Sequence, residues 1–184
     1  MAIIKYVCSA LFLLSSCAVV AENLPSVTMS DGHAYVITPS GKRQVISTKN
    51  GAMEPDAKFI DLTFNGYADL VMLRDSGANQ RFYDVYLYSK GKDEYVYNER
   101  LSGIPCLSVD EKNKELVGQC FHESSCENWE EHYSVSPKGN ISLVERKGTY
   151  CDPTGGQGYS YIDRFRNGKK ISSKTSPVDS QSDN

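Results

Sequence analysis

Asp61-Leu-Thr-Phe-Asn-Gly-Tyr-Ala-Asp69 runs straight into Leu70-Val-Met-Leu73. Counted from Asp61, oxygen-bearing side chains fall at positions 1, 3, 5 and 9, with glycine at position 6. A chain wraps a Ca²⁺ ion with this spacing. Asp61, Thr63, Asn65 and Asp69 would offer side-chain oxygens and Tyr67 a backbone carbonyl. Water or a distant carboxylate would complete the roughly six to eight ligands the ion takes. Position 12, a bidentate Glu in an EF-hand, is Met72 here, so the loop is not an EF-hand. The same side chains also make an Asx-turn, which folds without metal. On either reading the loop opens a β-strand, Leu70 to Arg74, with apolar residues on both faces.

Outward from this loop, short alternating segments dominate and no long amphipathic helix is legible. His33 to Thr38 and Arg43 to Ser47 flank the turn Pro39-Ser-Gly41. Phe59-Ile60 leads into the Asp61 loop. Phe82 to Tyr88 and Glu94 to Arg100 form a hairpin around Ser89-Lys-Gly-Lys-Asp93. Centring its turn near Gly91 and Lys92 pairs Tyr88 with Tyr95, Tyr86 with Tyr97 and Leu87 with Val96. One face is then aliphatic (Val85, Leu87, Val96) and the other tyrosine. The tyrosine face is expected to pack on a neighbouring sheet with its hydroxyls in water, the competing reading being a binding platform. Trp129 to Ser136 and Asn140 to Arg146 flank Pro137-Lys-Gly139. Tyr159 to Arg166 reaches Asn167-Gly168, a strong hairpin signal, then Lys169-Lys-Ile171. The expected fold is all-β, a meander of antiparallel hairpins whose small sheets pack in a propeller-like or sandwich arrangement.

The first residues read as an address. One lysine, Lys5, precedes an apolar run from Tyr6 to Leu14 that is too short to span a bilayer. Val19-Val20-Ala21 fits an ordinary cleavage site before Glu22. Leu14-Ser15-Ser16-Cys17 fits a lipoprotein box with Cys17 lipidated. The expected organisation is a signal peptide over 1–21, a single β domain over 22–171 and a disordered, Ser-rich tail over 172–184. The product would be periplasmic, or an outer-membrane lipoprotein whose only tie to the membrane is its lipid.

The whole chain of 184 residues holds 20 basic and 23 acidic residues. Lys5 leaves with the signal and no acid does, so the mature balance is 19 against 23, or −4. No Lys/Arg stripe appears, which argues against nucleic acid or phosphate as a ligand. Four cysteines follow the signal: Cys106, Cys120, Cys126 and Cys151. An even count in an oxidising compartment points to two disulfides. A hairpin turning at Glu111-Lys-Asn-Lys114 and centred on Asn113 brings Cys106 opposite Cys120, leaving Cys126 for Cys151. The rival pairing is Cys120 with Cys126 and Cys106 with Cys151. Neither the Cys nor the His spacing fits a zinc finger or ribbon.

No catalytic constellation is legible. The chain lacks a G-x-S-x-G elbow and an H-E-x-x-H helix. His122-Glu123-Ser124-Ser125 reads as a loop bounded by cysteines. Glu130 and Glu131 alternate sides of a strand and are expected to be solvated. Gly155-Gly156-Gln-Gly158 has no strand before it and no helix after it, so it is not a phosphate cradle.

Asp61-x-Thr-x-Asn-Gly-Tyr-x-Asp-Leu70, Gly77-Ala-Asn79, Tyr86-Leu-Tyr88 and Leu101-Ser102 together resemble a group of bacterial exported β proteins. These are related to calcium-loop propeller repeats of the FG-GAP or integrin type. The likeness covers about Phe59 to Lys147. Thr63 and Asn65 depart from more acidic ligands, and the four cysteines are outside the pattern. The group includes periplasmic inhibitors of lysozyme-like cell-wall hydrolases and immunity proteins against peptidoglycan-cutting effectors. The resemblance therefore implies a non-catalytic protein that occludes such an enzyme with a loop held on a rigid sheet. Asp75, Asn79 and Gln80 in one loop, and His122 and Glu123 in another, are the candidate contact residues. The alternative is an envelope binding or structural module that leaves hydrolysis unchanged.

Overall fold

The computed structural model describes residues 24–48, 57–77, 80–124 and 126–178. The signal region, Cys17, Asn79 and residues 179–184 lie outside them. A first sheet holds β1 (Ser26–Ser30), β2 (His33–Ile37) and β3 (Arg43–Ser47). A second holds β4 (Ala57–Ile60), β5 (Asp69–Ser76), β6 (Arg81–Ser89) and β7 (Glu94–Tyr97). A helical turn, α1 (Glu99–Ser102), leads to the third sheet. That sheet runs through β8 (Ser108–Asp110), β9 (Glu115–His122), β10 (Asn128–Val135), β11 (Ile141–Cys151), β12 (Gly158–Arg166) and β13 (Lys169–Pro177). Every pairing is antiparallel and joins consecutive strands, as a meander requires.

The second sheet is the middle layer of a stack. Leu70 and Met72 of β5 join Tyr88 and Tyr95 against Ala34, Val36 and Ile46 of the first sheet. Val71 and Val85 point the other way, into a core completed by Leu101, Ile104, Leu107 and Leu116. Side chains alternate across a strand, so a strand with a core on each side must be apolar at every position. That is why Leu70-Val-Met carries no polar residue.

The tyrosine hairpin pairs as read, Tyr88 with Tyr95, Tyr86 with Tyr97 and Leu87 with Val96. Its tyrosine face packs on the first sheet, the Tyr88 and Tyr95 rings 5.3 Å apart. Two of the four hydroxyls find protein acceptors instead of water, while Tyr97 is 45% exposed. Tyr88 donates to Asp93 (2.7 Å) and Tyr95 to the Ala68 carbonyl (3.4 Å). Asp93 also accepts from Thr38 and Ser40, tying the turn to the first sheet. These bonds, the one from Ser40 foremost, hold its carboxyl below the usual range.

Four expectations need correction. β1 is an extra strand, joined to β2 at Asp31-Gly32, both with positive φ (50° and 73°). The second strand of the tyrosine hairpin stops at Tyr97 because the Asn98 side chain accepts from Leu101 N–H and caps α1. Glu131 is not solvated: it is 7% exposed, bonded by Tyr133 and by Arg146 Nε at 2.8 Å. Ser172 to Pro177 is strand β13 rather than disordered tail. Its backbone pairs with β12, and ladder bonds need no apolar alternation in the partner.

Candidate functional site

The Asp61 loop is closed by its own hydrogen bonds. Asp61 accepts from the backbone N–H of Asn65 (3.1 Å) and Gly66 (2.7 Å), and Asn65 from that of Tyr67 (2.8 Å). Gly66 sits at φ +86°, the left-handed value that makes glycine necessary there. Asp69 is wholly buried and turns both oxygens onto backbone N–H groups, of Leu62 and Tyr88. Thr63 Oγ1 is buried without a partner. The backbone bonds to Asp61 and Asn65 make the loop an Asx-turn, pinned through Asp69 to β6. With both Asp69 oxygens turned onto backbone N–H groups, Asp61, Thr63 and Asn65 are left as the side-chain oxygens that could hold a cation, fewer than the roughly six to eight ligands calcium takes.

Cys106 is bonded to Cys120 and Cys126 to Cys151, with Cα–Cα distances of 5.9 and 5.8 Å. No thiolate is left among the four for zinc. The route to the first bridge differs from the centred hairpin. Ser108 pairs with Val117, so the plain register would set Cys106 opposite Gln119. Left-handed backbone at Cys106 (φ 46°) and Cys120 (φ 67°) lifts both out of the ladder and into bonding range.

This bridge gathers two of the candidate segments. Gln80 Nε2 donates to the Cys120 carbonyl (3.2 Å), and Cys106 N–H donates to the Arg81 carbonyl (2.7 Å). The tip of the β5–β6 hairpin is thereby fixed beside the loop that Cys120 begins. That loop is tight: Glu123 N–H reaches the Glu127 carbonyl (2.9 Å), and Ser124 Oγ accepts from Cys126 and Glu127. His122 Nδ1 lies 3.1 Å from the same Cys120 carbonyl. His122 and Glu123 are exposed, as is Asp75 on its own hairpin arm. Asn79 falls outside the described residues.

Two open clefts meet here. One of about 640 Å³ lies between the β5–β6 tip, Cys106 and Cys120. The other, about 700 Å³, runs over the outer face of the third sheet past His122, Asn128, Glu130, Lys147 and Ser160. Gln119 and Cys120 line both, and no residue of the Asp61 loop lines either. In the larger cleft Lys147 Nζ lies 2.6 Å from Glu130. Burial pushes the Glu130 carboxyl up, but Lys147 and His132 outweigh it and hold the group low, while Glu130 raises Lys147. Trp129, next to Glu130, alternates to the inner face of the same strand, stacked on Phe121 at 5.4 Å with its indole N–H buried and unbonded. Asn128, Glu130, Lys147 and Ser160 escaped the sequence reading because three strands bring them together. Only the alternation of Asn128 and Glu130 was there to be seen.

Two disulfides are the mark of an oxidising compartment, extracellular or periplasmic. Among the described residues no helix is long and apolar enough to cross a membrane. Compared with known protein families, curated proteins and solved structures, the chain matches none of them.

Proposed function

We propose that this chain is an exported, periplasmic inhibitor or immunity protein that occludes a peptidoglycan-degrading enzyme. The observation that carries the reading is the convergence of Gln80 and the Cys120–Cys126 loop at one end of the third sheet. A surface that blocks a cleft must hold its shape before contact, since ordering a loop on binding costs affinity. Here the exposed polar side chains of His122 and Glu123 stand on a backbone braced by two disulfides and a cross-hairpin hydrogen bond. The role is non-catalytic: binding and exclusion of substrate. The test is titration of the purified protein against muramidases, amidases and transpeptidases, beginning with those encoded beside it. Stoichiometric loss of one enzyme's activity is expected, and failure to bind or inhibit any of them would sink the reading.

A second reading, an envelope glycan-binding module, draws on the inner face of the third sheet. There Trp129, Tyr150 and Tyr161 line a cleft of about 250 Å³ with Arg146 and Glu127. It predicts retention on insoluble peptidoglycan with no change in hydrolysis.

A further inference from the structure

The net charge of −3 hides a strong local reversal. Residues 158–178, the β12–β13 hairpin, carry five basic side chains (Arg164, Arg166, Lys169, Lys170, Lys174) against the single acid Asp163. No stripe shows in the linear sequence because two strands assemble it. Ile162 pairs with Lys174 and Arg166 with Lys169. Paired residues share a face and alternate residues return to it. Ile162, Arg164, Arg166, Lys169 and Lys174 therefore lie on the outer face, and Lys170 turns to the inner one to bond Asp163 (3.0 Å). A register shift after Arg164 leaves Ile171 without a partner. It stands 55% exposed at this bulge, and Ile162, among the cations of the outer face, is 40% exposed. Arg164 reaches Glu145 at 3.4 Å, while Arg166, Lys169 and Lys174 have no ion pair among the described residues. Across the same face the charge changes sign, with Asp110, Glu115 and Glu130 gathered around His132 on β8–β10.

We propose that this edge of the third sheet docks on an anionic phospholipid surface, Arg166, Lys169 and Lys174 meeting headgroup phosphates and Ile171 entering the interface between them. Lysines on an edge strand also deter pairing with another sheet. That role requires neither alignment of the charges on one face nor an exposed isoleucine in their midst. The ligand is read as a surface because the cations are spread along two strands rather than converging on one point. The acidic β8–β10 side would orient the molecule by its repulsion from the same lipids. The proposal does not rest on the inhibitor reading. The His122 end lies at the opposite end of the strands, beside Cys151 and Gly158, and stays clear of the bilayer.

Co-sedimentation with vesicles tests it, using the exported chain carrying C17S so that no lipid is attached. Binding to phosphatidylglycerol/phosphatidylcholine vesicles at 0.1 M salt is expected, at least tenfold tighter than to phosphatidylcholine alone and lost at about 0.5 M salt. Each cation near an anionic bilayer is worth about fivefold. R166E/K169E/K174E, folded as judged by an unchanged melt, should bind roughly 100-fold more weakly, I171S several-fold more weakly, and K112E on the β8–β9 turn as the parent does. Equal binding to neutral vesicles, or indifference to the triple charge reversal, would overturn the proposal. So would equally tight, equally salt-sensitive binding to soluble polyglutamate, which would make the occupant an acidic protein surface.

Discussion

Asp69 receives two backbone N–H groups, from Leu62 (3.1 Å) and Tyr88 (2.9 Å), in a site closed to solvent. Burial pushes its carboxyl up from 3.8 to about 7, against the pull of those bonds and with a smaller push from Asp61. The unfolded chain has the ordinary value, so between about pH 4 and 7 the native protein holds a proton that the unfolded chain has lost. Stability from this group is full at acid pH and declines as pH rises through about 7, by at most about 4 kcal/mol. Urea melts across that range should show the decline. Asp69→Asn should flatten it and cost about 1–2 kcal/mol at pH 5, because its amide nitrogen faces a backbone donor. A wild-type curve that rises over the same range would contradict the assignment. The neighbouring Asp61 closes its loop with two backbone hydrogen bonds. Added Ca²⁺ or chelator should therefore move the melting temperature by less than about 1 °C, whereas a rise that grows with calcium concentration would show a bound ion by linkage.

At the scale of elements, the long third sheet depends on close backbone contacts and cross-links. A Cβ at Gly148 would lie 2.2 Å from the Asn128 carbonyl oxygen and 2.6 Å from Trp129 Cβ; one at Gly118 would meet the tip of Ile104 at 2.6 Å. Backbone cannot step aside as a side-chain methyl can. Gly148→Ala should thus cost about 2–3 kcal/mol and disturb Trp129 fluorescence, and Gly118→Ala about 1 kcal/mol. Closing loops of 14 and 25 residues, the two bridges should contribute about 3 kcal/mol each by chain entropy. Cys126→Ser/Cys151→Ser should lower stability by about that amount and expose the Glu123–Glu127 turn to proteolysis. Most hairpins were legible in the sequence because alternation and turn residues are local signals. Asn167-Gly168 and the tyrosine pairs needed nothing from the rest of the chain. β1 was missed although Asp31-Gly32 announced its turn and Val27 and Met29 alternate with polar residues, a pattern only five residues long. β13 was missed because a serine- and lysine-rich strand is held by its neighbour's backbone rather than by its own side chains. The Gln80 to Cys120 contact joins residues 40 apart in the chain, and no local pattern encodes it.

Three stacked sheets give this small protein two cores, with the second sheet shared between them. The third sheet extends past the support of that stack and carries opposite features at its two ends. One end holds the disulfide-braced loops and their clefts, the other the basic hairpin tip. The proposed occlusion from the loop end is tested by enzyme inhibition compared between the parent and three variants. Against a cell-wall hydrolase that the parent inhibits, Gln80→Ala and His122→Ala/Glu123→Ala should each raise the inhibition constant at least tenfold. Lys169→Glu at the hairpin tip should leave it unchanged. Inhibition that survives both loop-end variants, or is abolished only by the far-end one, would contradict the account.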